Sequence, residues 1–279
     1  MRVCDVSIFT EDDALHRCSA ALAQRRPAEA ERIAREVLAT SPQHPAALFF
    51  LGVAHLVQGR AAEAVKPLEQ AARLHPDASV ETHLAMALRE CGRAAEALTW
   101  FERATARSPA FAPAFKELGV TYRSLRRFAE AEAILRRGQE LAPAMPELDM
   151  LLGAVCLDRG DPVKAQAAFA RALAHMPGHP EALFGVATAL VNQGEFARAA
   201  EHYRQILARD PSHVRALLYL GHCLMELGQW DEGVAMLRAT LRIDPKARGN
   251  VLRMLVASAR GKFWLKRSAI AQLLDGGGA

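Results

Sequence analysis

Aromatic residues make up only 6% of this 279-residue chain, and the β-branched and aromatic runs that mark strands are scarce. Essentially no sheet is expected. No stretch approaches the roughly 18 to 20 consecutive apolar residues of a membrane-spanning helix, so a membrane is not an expected partner. The opening residues, MRVCDVSIFTEDDAL, hold no apolar run of leader length, because Asp5, Glu11, Asp12 and Asp13 interrupt it. A cytoplasmic protein is expected, with a bacterial periplasmic form after leader removal as the alternative.

Cysteine is sparse and unpaired in pattern. Cys4, Cys18, Cys91, Cys156 and Cys223 are odd in number, lie far apart and form no C-x-x-C, which suits a reducing compartment. The last four fall at or beside expected helix-packing positions, as buried small residues rather than nucleophiles. No H-E-x-x-H, G-x-S-x-G, P-loop or G-x-G-x-x-G occurs. His175 and His179 are separated by Pro177 and Gly178, so no helix can put both rings on one face for a metal. No enzyme, cofactor or metal is expected.

Charge of one sign is also lacking. The 35 Lys and Arg residues against 31 Asp and Glu leave a net charge of +4 on a mixed surface. A nucleic-acid footprint would need cations focused on one face, so nucleic acid is not an expected partner. The run Arg260, Gly261, Lys262, Phe263, Trp264, Leu265, Lys266 and Arg267 interleaves cations with aromatics, but no wider basic field surrounds it.

What is present is a beat of proline. Pro42, Pro76, Pro109, Pro143, Pro177, Pro211 and Pro245 are spaced 34, 33, 34, 34, 34 and 34 residues apart. A period of this size marks a copied supersecondary unit too small to bury its own apolar face, so that neighbours must stack. Registering on the prolines gives units 11–44, 45–77, 78–111, 112–145, 146–179, 180–213 and 214–247, preceded by a lead-in, 1–10. The second unit is one residue short, which places a shortened turn after Pro76.

Other columns fall into the same register. Position 8 is small (Cys18, Gly52, Ala85, Gly119, Gly153, Ala187, Gly221), as is position 20 (Ala30, Ala64, Ala97, Ala131, Ala165, Ala199, Gly233). Two helices approach closely only where neither carries bulk at the crossing. Position 24 supplies large core residues such as Leu68, Phe101, Leu135 and Phe169. Position 15 is glycine in five units, suiting a left-handed residue that ends the first helix. Arg25 and Arg126 break that column, and turns of different construction are expected there. Pro27 and Pro162 suit the start of second helices, with Asp161 placed to cap. Pro67 falls inside a second helix and is expected to kink or break it.

These columns resemble the tetratricopeptide repeat, W-x-x-L-G-x-x-Y, then A-x-x-x-F, then P, over about 85% of the chain. The fourth unit fits best, with Phe115, Leu118, Gly119, Tyr122, Ala131, Leu135 and Pro143 in the family's places. The first departs most, with Arg17 and Ala34 where larger apolar residues are usual, and reads as a polar or poorly ordered end. The resemblance implies an all-α fold, a right-handed superhelical α-solenoid of helix-turn-helix units. After residue 247 the columns stop. Residues 248–274 read as two capping helices, with Leu252, Leu255 and Val256 as one apolar stripe and Leu265, Ile270, Leu273 and Leu274 as another, and 275–279 as a disordered tail.

The resemblance also implies that first helices line a concave groove. The corresponding residues are Phe49, Val53, Leu56, Met86, Arg89, Lys116, Val120, Arg123, Met150, Leu157, Phe184, Thr188, Leu218, His222 and Met225. This stripe is largely apolar, with Arg89, Lys116 and Arg123 as a short cationic interruption able to pair an acidic residue. It suits an apolar or amphipathic segment of a protein partner, anchored on a few aromatics and adaptable methionines. The asparagines with which family members clamp a terminal carboxylate are replaced by Val53, Met86 and Val120, so an acidic tail is not the expected ligand. The stripe either receives a ligand or is covered internally by winding or by an extra helix. The expected function is a non-enzymatic interaction scaffold. The alternatives are a self-associating homo-oligomer, or a targeting module related to a larger bacterial sulfotransferase or glycosyltransferase.

Overall fold

The structure, a computed structural model, describes residues 10–257, and these form two compact units divided after residue 142. The first contains α1 (Glu11–Ala23), α2 (Pro27–Thr40), α3 (Pro45–Val57), α4 (Ala61–Leu74), α5 (Ala78–Glu90), α6 (Ala94–Ala106), α7 (Ala112–Ser124) and α8 (Phe128–Leu141). The second contains α9 (Pro146–Asp158), α10 (Pro162–His175), α11 (Pro180–Asn192), α12 (Phe196–Arg209), α13 (Val214–Glu226), α14 (Trp230–Ile243) and α15 (Arg248–Ala257), with a 3-10 turn at Pro245–Ala247 before the last. There is no strand among the described residues. In each unit consecutive helices pack as hairpins, and each hairpin packs on the next, the arrangement of an α-solenoid.

The helix starts follow from local chemistry. Proline stands at the first position of α2, α3, α9, α10 and α11, where a missing N–H leaves nothing unsatisfied. The Asp161 carboxylate accepts from the Lys164 amide at 3.1 Å, and Asp77 caps α5 through the Val80 amide at 2.9 Å. His44 and His213, both in turns, cap α3 and α13 through Nδ1, which accepts from the amides of Ala47 and Ala216.

Two expectations about the chain path need correction. Arg25 and Arg126 do not change the turn. They take the left-handed conformation themselves, at φ 58° and 59°, as Gly59 and Gly92 do at 73° and 78°. The same closing bond forms in each case: the Arg26 amide donates to the Ala21 carbonyl and Arg127 to Tyr122 at 2.8 Å, as Arg60 does to His55 at 2.9 Å. The bond satisfies a terminal carbonyl and compensates the steric cost of a side chain at positive φ. Nor does Pro67 break its helix. It is buried in mid-helix, and α4 runs on to Leu74, held between α3 and α5.

The small columns lie where hairpins close. A Cβ on Gly119 would stand 2.6 Å from Leu135 Cδ2, and one on Gly153 2.7 Å from the Phe169 ring. The alanines at the other small column, Ala30, Ala64, Ala97 and Ala131 in the first unit and Ala165 and Ala199 in the second, are fully buried. Of α1 only Cys18 and Ala21 are buried, so it is a polar end helix. In the second unit α15 lays Val251 and Leu255 against Leu218, Met225 and Leu237. The lead-in before Thr10, the Arg260–Arg267 run, the second capping helix with Leu265 to Leu274, the 275–279 tail, Cys4 and the side chain of Val256 lie outside the described residues.

Candidate protein-binding face

In the first unit the sequence-selected residues come from α3, α5 and α7. Phe49, Val53, Leu56 and Met86 are half-buried, and Val120 is 36% exposed. Phe49 meets the His83 imidazole edge-on at 5.1 Å and lies against Phe50 at 5.6 Å. The His83 ring also bonds through Nδ1 to the Ser79 carbonyl at 2.7 Å. Burial pushes its pKa down, with that hydrogen bond opposing.

The cationic interruption is not a set of open charges. Arg89 Nη2 donates to Glu117 Oε2 at 2.8 Å and Nη1 to Thr121 Oγ1 at 3.1 Å, while its guanidinium lies 5.5 Å over Phe101. Lys116 Nζ stands 3.3 Å from the other Glu117 oxygen. One carboxylate thus holds two of the three cations, and Arg123 is half-buried on the following turn. Glu117 escaped the sequence reading, although it directly follows Lys116.

Two cavities open at the N-terminal end of α5. The first, ≈ 400 Å³, lies between the starts of α3 and α5 and includes Phe49 in its wall. The second, ≈ 390 Å³, lies between the start of α5 and the turn before α7. Asp77 and Ser79 belong to both. They coincide with two irregular connections: residues 75–77 give three between α4 and α5, and 107–111 give five between α6 and α7, whereas 41–44, 176–179 and 210–213 give four each.

In the second unit Met150, Leu157, Thr188 and His222 are half-buried. Thr188 donates through its hydroxyl to the Phe184 carbonyl at 2.8 Å. His222 meets Phe196 edge-on at 5.9 Å, and burial pushes its pKa down against the opposing charge of Glu226. Phe184, Leu218 and Met225 are different. Phe184 is packed edge-on between Tyr203 at 5.4 Å and Tyr219 at 5.3 Å, under the Arg215 guanidinium at 4.0 Å. Leu218 and Met225 lie beneath α15. These three belong to the packed interior rather than to a surface open to a ligand, because bulky side chains and an added helix cover them.

Cys18, Cys156 and Cys223 are buried, and burial raises the Cys18 thiol to about 11 and Cys223 to about 12, which leaves both protonated and unreactive. Cys91 departs from expectation: it is exposed, at the C-cap of α5. Among the described residues no three His, Cys, Asp or Glu side chains gather as metal ligands, and no helix is long and apolar enough to cross a membrane.

The sequence reading also missed a set of buried acids. Glu81 is fully buried and bonded to Arg103 and Arg107, and Asp149 is bonded to Arg171 at 2.8 Å. Glu31 accepts from Gln58 at 2.9 Å and from Arg60, and stands 3.6 Å from the buried His55 ring. Desolvation raises the Glu31 pKa, but these donors and Arg35 outweigh it and hold the carboxyl below its ordinary range.

Hairpins of this length stacked on one another, with small residues at the crossings, define a helical-repeat scaffold. Tetratricopeptide repeat profiles match residues 18–79 and 82–146 and, with a second profile of the same description, 157–201 and 190–257. The chain belongs to the tetratricopeptide repeat family. Among curated proteins none matches it in sequence. Several solved structures share its fold. The C-terminal part of a TPR repeat-containing protein from Cytophaga hutchinsonii is 15% identical, with a TM-score of 0.66 over 85% of this chain and 98% of that one. Pseudomonas aeruginosa pilF is 21% identical, with a TM-score of 0.64 over 75% and 95%. YrrB, described as a TPR protein with an unusual peptide-binding site, is 20% identical, with a TM-score of 0.59 over 68% and 97%.

Proposed function

We propose that this protein is a non-enzymatic scaffold that binds an apolar or amphipathic segment of a partner protein on the α3, α5 and α7 face of its first unit. The observation that carries the reading is the run of incompletely buried apolar side chains on that face, Phe49, Val53, Leu56, Met86 and Val120. Burying such side chains is worth roughly 1.5 to 3 kcal/mol each when complete, so a partner that covers several has a substantial driving force. Glu117 neutralises part of the cationic interruption, which favours an apolar contact over capture of an acidic tail. The peptide-binding site named for YrrB supports the same class of activity.

Val53→Glu together with Val120→Glu tests this reading, because both residues retain exposure and neither belongs to a buried core cluster. Affinity capture from the native organism, wild type beside variant, is expected to lose its specific partners while the circular dichroism stays unchanged. An identical set of partners on both proteins would overturn it.

A further inference from the structure

We infer that His83 Nε2 is a fixed hydrogen-bond acceptor for the partner, and that the amphipathic helix seated on the α3, α5 and α7 face presents a tryptophan whose indole N–H meets it. This deepens the protein-binding reading and rests on it.

The tautomer follows from the contact of the other ring nitrogen. His83 Nδ1 stands 2.7 Å from the Ser79 carbonyl oxygen, one turn back along α5. A carbonyl can only accept, so Nδ1 carries the proton. Burial pushes the pKa of the ring down, although that bond and the charges of Glu117 and Asp77 oppose it, and at pH 7.5 the imidazole is neutral. Nε2 is then a bare lone pair. It makes no hydrogen bond among the described residues, and it is not one of the ring nitrogens sealed from solvent, as both of His55 are. The Phe49 ring, at 5.1 Å and 86° to the imidazole, braces it from α3. The acceptor is therefore held in place, accessible and unspent.

Phe49, which touches the ring, and Met86, three residues further along α5, both belong to the half-buried apolar run of this face. A partner that covers the run takes Nε2 out of water, and an acceptor left unpaired there weakens binding about tenfold or more. The interior amides of a helix are already bonded, so a side chain must supply the donor. Lysine or arginine would bring a further charge to a face that already carries Arg89 and Lys116. Hydroxyl and amide side chains bring acceptors of their own. Indole is apolar in body, donates once and accepts nothing. Its ring also packs against aromatic neighbours such as Phe49, and tryptophan is enriched among the residues that dominate binding.

The test uses the full chain and two fluorescein-labelled amphipathic Leu/Lys helical peptides read by anisotropy. One carries a single tryptophan in its apolar face, and the other carries N-methylated tryptophan at the same place, which keeps the ring and removes the donor. The first is expected to bind at least about tenfold more tightly. His83→Phe keeps an aromatic ring against Phe49 and removes the acceptor, so it should erase that ratio while thermal melting stays near wild type. Nitrogen NMR of histidine-labelled protein at pH 7.5 should show His83 protonated at Nδ1, with a bare Nε2 whose resonance moves on adding the tryptophan peptide and not its methylated counterpart. A ring protonated at Nε2, no binding of the tryptophan peptide, or a ratio that survives His83→Phe would overturn the inference. So would equal affinity for the two peptides, the result expected where a backbone N–H of an extended segment supplies the donor. Equal binding that is lost on Val53→Glu/Val120→Glu would leave the face reading standing and end this one. A tryptophan preference lost on His83→Phe, with native partners indifferent to Val53→Glu/Val120→Glu, would do the reverse.

Discussion

Arg103 of α6 donates to the buried carboxylate of Glu81 on α5 at 2.9 Å, tying the two helices of one hairpin together across 22 residues of chain. The same separation recurs with different chemistry. Arg171 donates to Asp149 at 2.8 Å, and the Arg137 guanidinium lies 5.5 Å over the Phe115 ring. An arginine from the second helix thus covers one first-helix position, whether the residue beneath it is an acid or an aromatic. Glu81 receives a second arginine, Arg107, from the irregular turn that borders the second cavity. The buried acid thereby ties that turn to α5.

Removing the two sides of this contact should have unequal effects. Leucine occupies the corresponding place in other hairpins, at Leu48, Leu183 and Leu217. Glu81→Leu is therefore expected to stay within about 1 kcal/mol of wild type, since replacing a buried ion pair by a packed apolar residue is often neutral. Arg103→Ala with Arg107→Ala strands a buried carboxylate and should lower the urea midpoint clearly. Adding Glu81→Leu to that pair should restore it, and a triple variant no more stable than the double would contradict the assignment.

The left-handed turn residues offer a reciprocal pair of changes. Arg126 and Gly92 hold the same position in their hairpins, and a Cβ added at Gly92 would meet nothing within 4 Å. Backbone strain is the larger difference between them, the Arg126 guanidinium also lying 5.5 Å over the Phe128 ring. Arg126→Gly should stabilise the protein by about 1 kcal/mol and Gly92→Arg should destabilise it by a similar amount. Chemical denaturation of both variants checks the sign.

Stability should also fall on mild acidification. His55 is buried between Glu31 Oε1 at 3.6 Å and Glu63 Oε2 at 3.7 Å, with Arg35 and Arg60 nearby. Desolvation, aided by Arg60, pushes its pKa down despite the two carboxylates, and burial acts likewise on His83, His202 and His222. A depressed folded-state pKa means that the unfolded chain binds protons more readily. The contribution is complete above the ordinary histidine value of 6.5 and is lost as pH falls below it. The urea midpoint should be lower at pH 5 than at pH 7.5. His55→Gln should reduce that difference without removing it.

The legible parts of the chain were those set by backbone constraint. Pro27 and Pro162 start helices, and Gly119 and Gly153 mark close crossings, because each requirement concerns the residue itself and its own turn. The covering of Phe184 depends on Tyr203 and Tyr219 from the following helices, and that of Leu218 and Met225 on α15, whose sequence carries none of the repeat columns. Surface or interior is decided there by neighbours rather than by position in the repeat. The cavities lay between these cases: the missing residue after Pro76 was visible, but the extra one after Ala106 was concealed by a helix one residue shorter than its counterparts.

Phe184 provides the sharpest separation of interior from surface. A sequence-guided experiment would pair Phe184→Glu with Phe49→Glu to abolish binding. In the structure Phe184 is 6% exposed inside a ring of Tyr203, Tyr219 and Arg215, whereas Phe49 is half-buried beside a cavity. Phe184→Ala should therefore cost about 3 to 5 kcal/mol through the transfer and cavity terms, and Phe184→Glu more, because it also buries a carboxylate. Phe49→Ala at its wetter position should cost less and act chiefly on binding. Thermal melts of the two alanine variants, together with affinity capture of partners from the native organism, resolve the two roles. A Phe184→Ala protein that melts like wild type would return that residue to the surface.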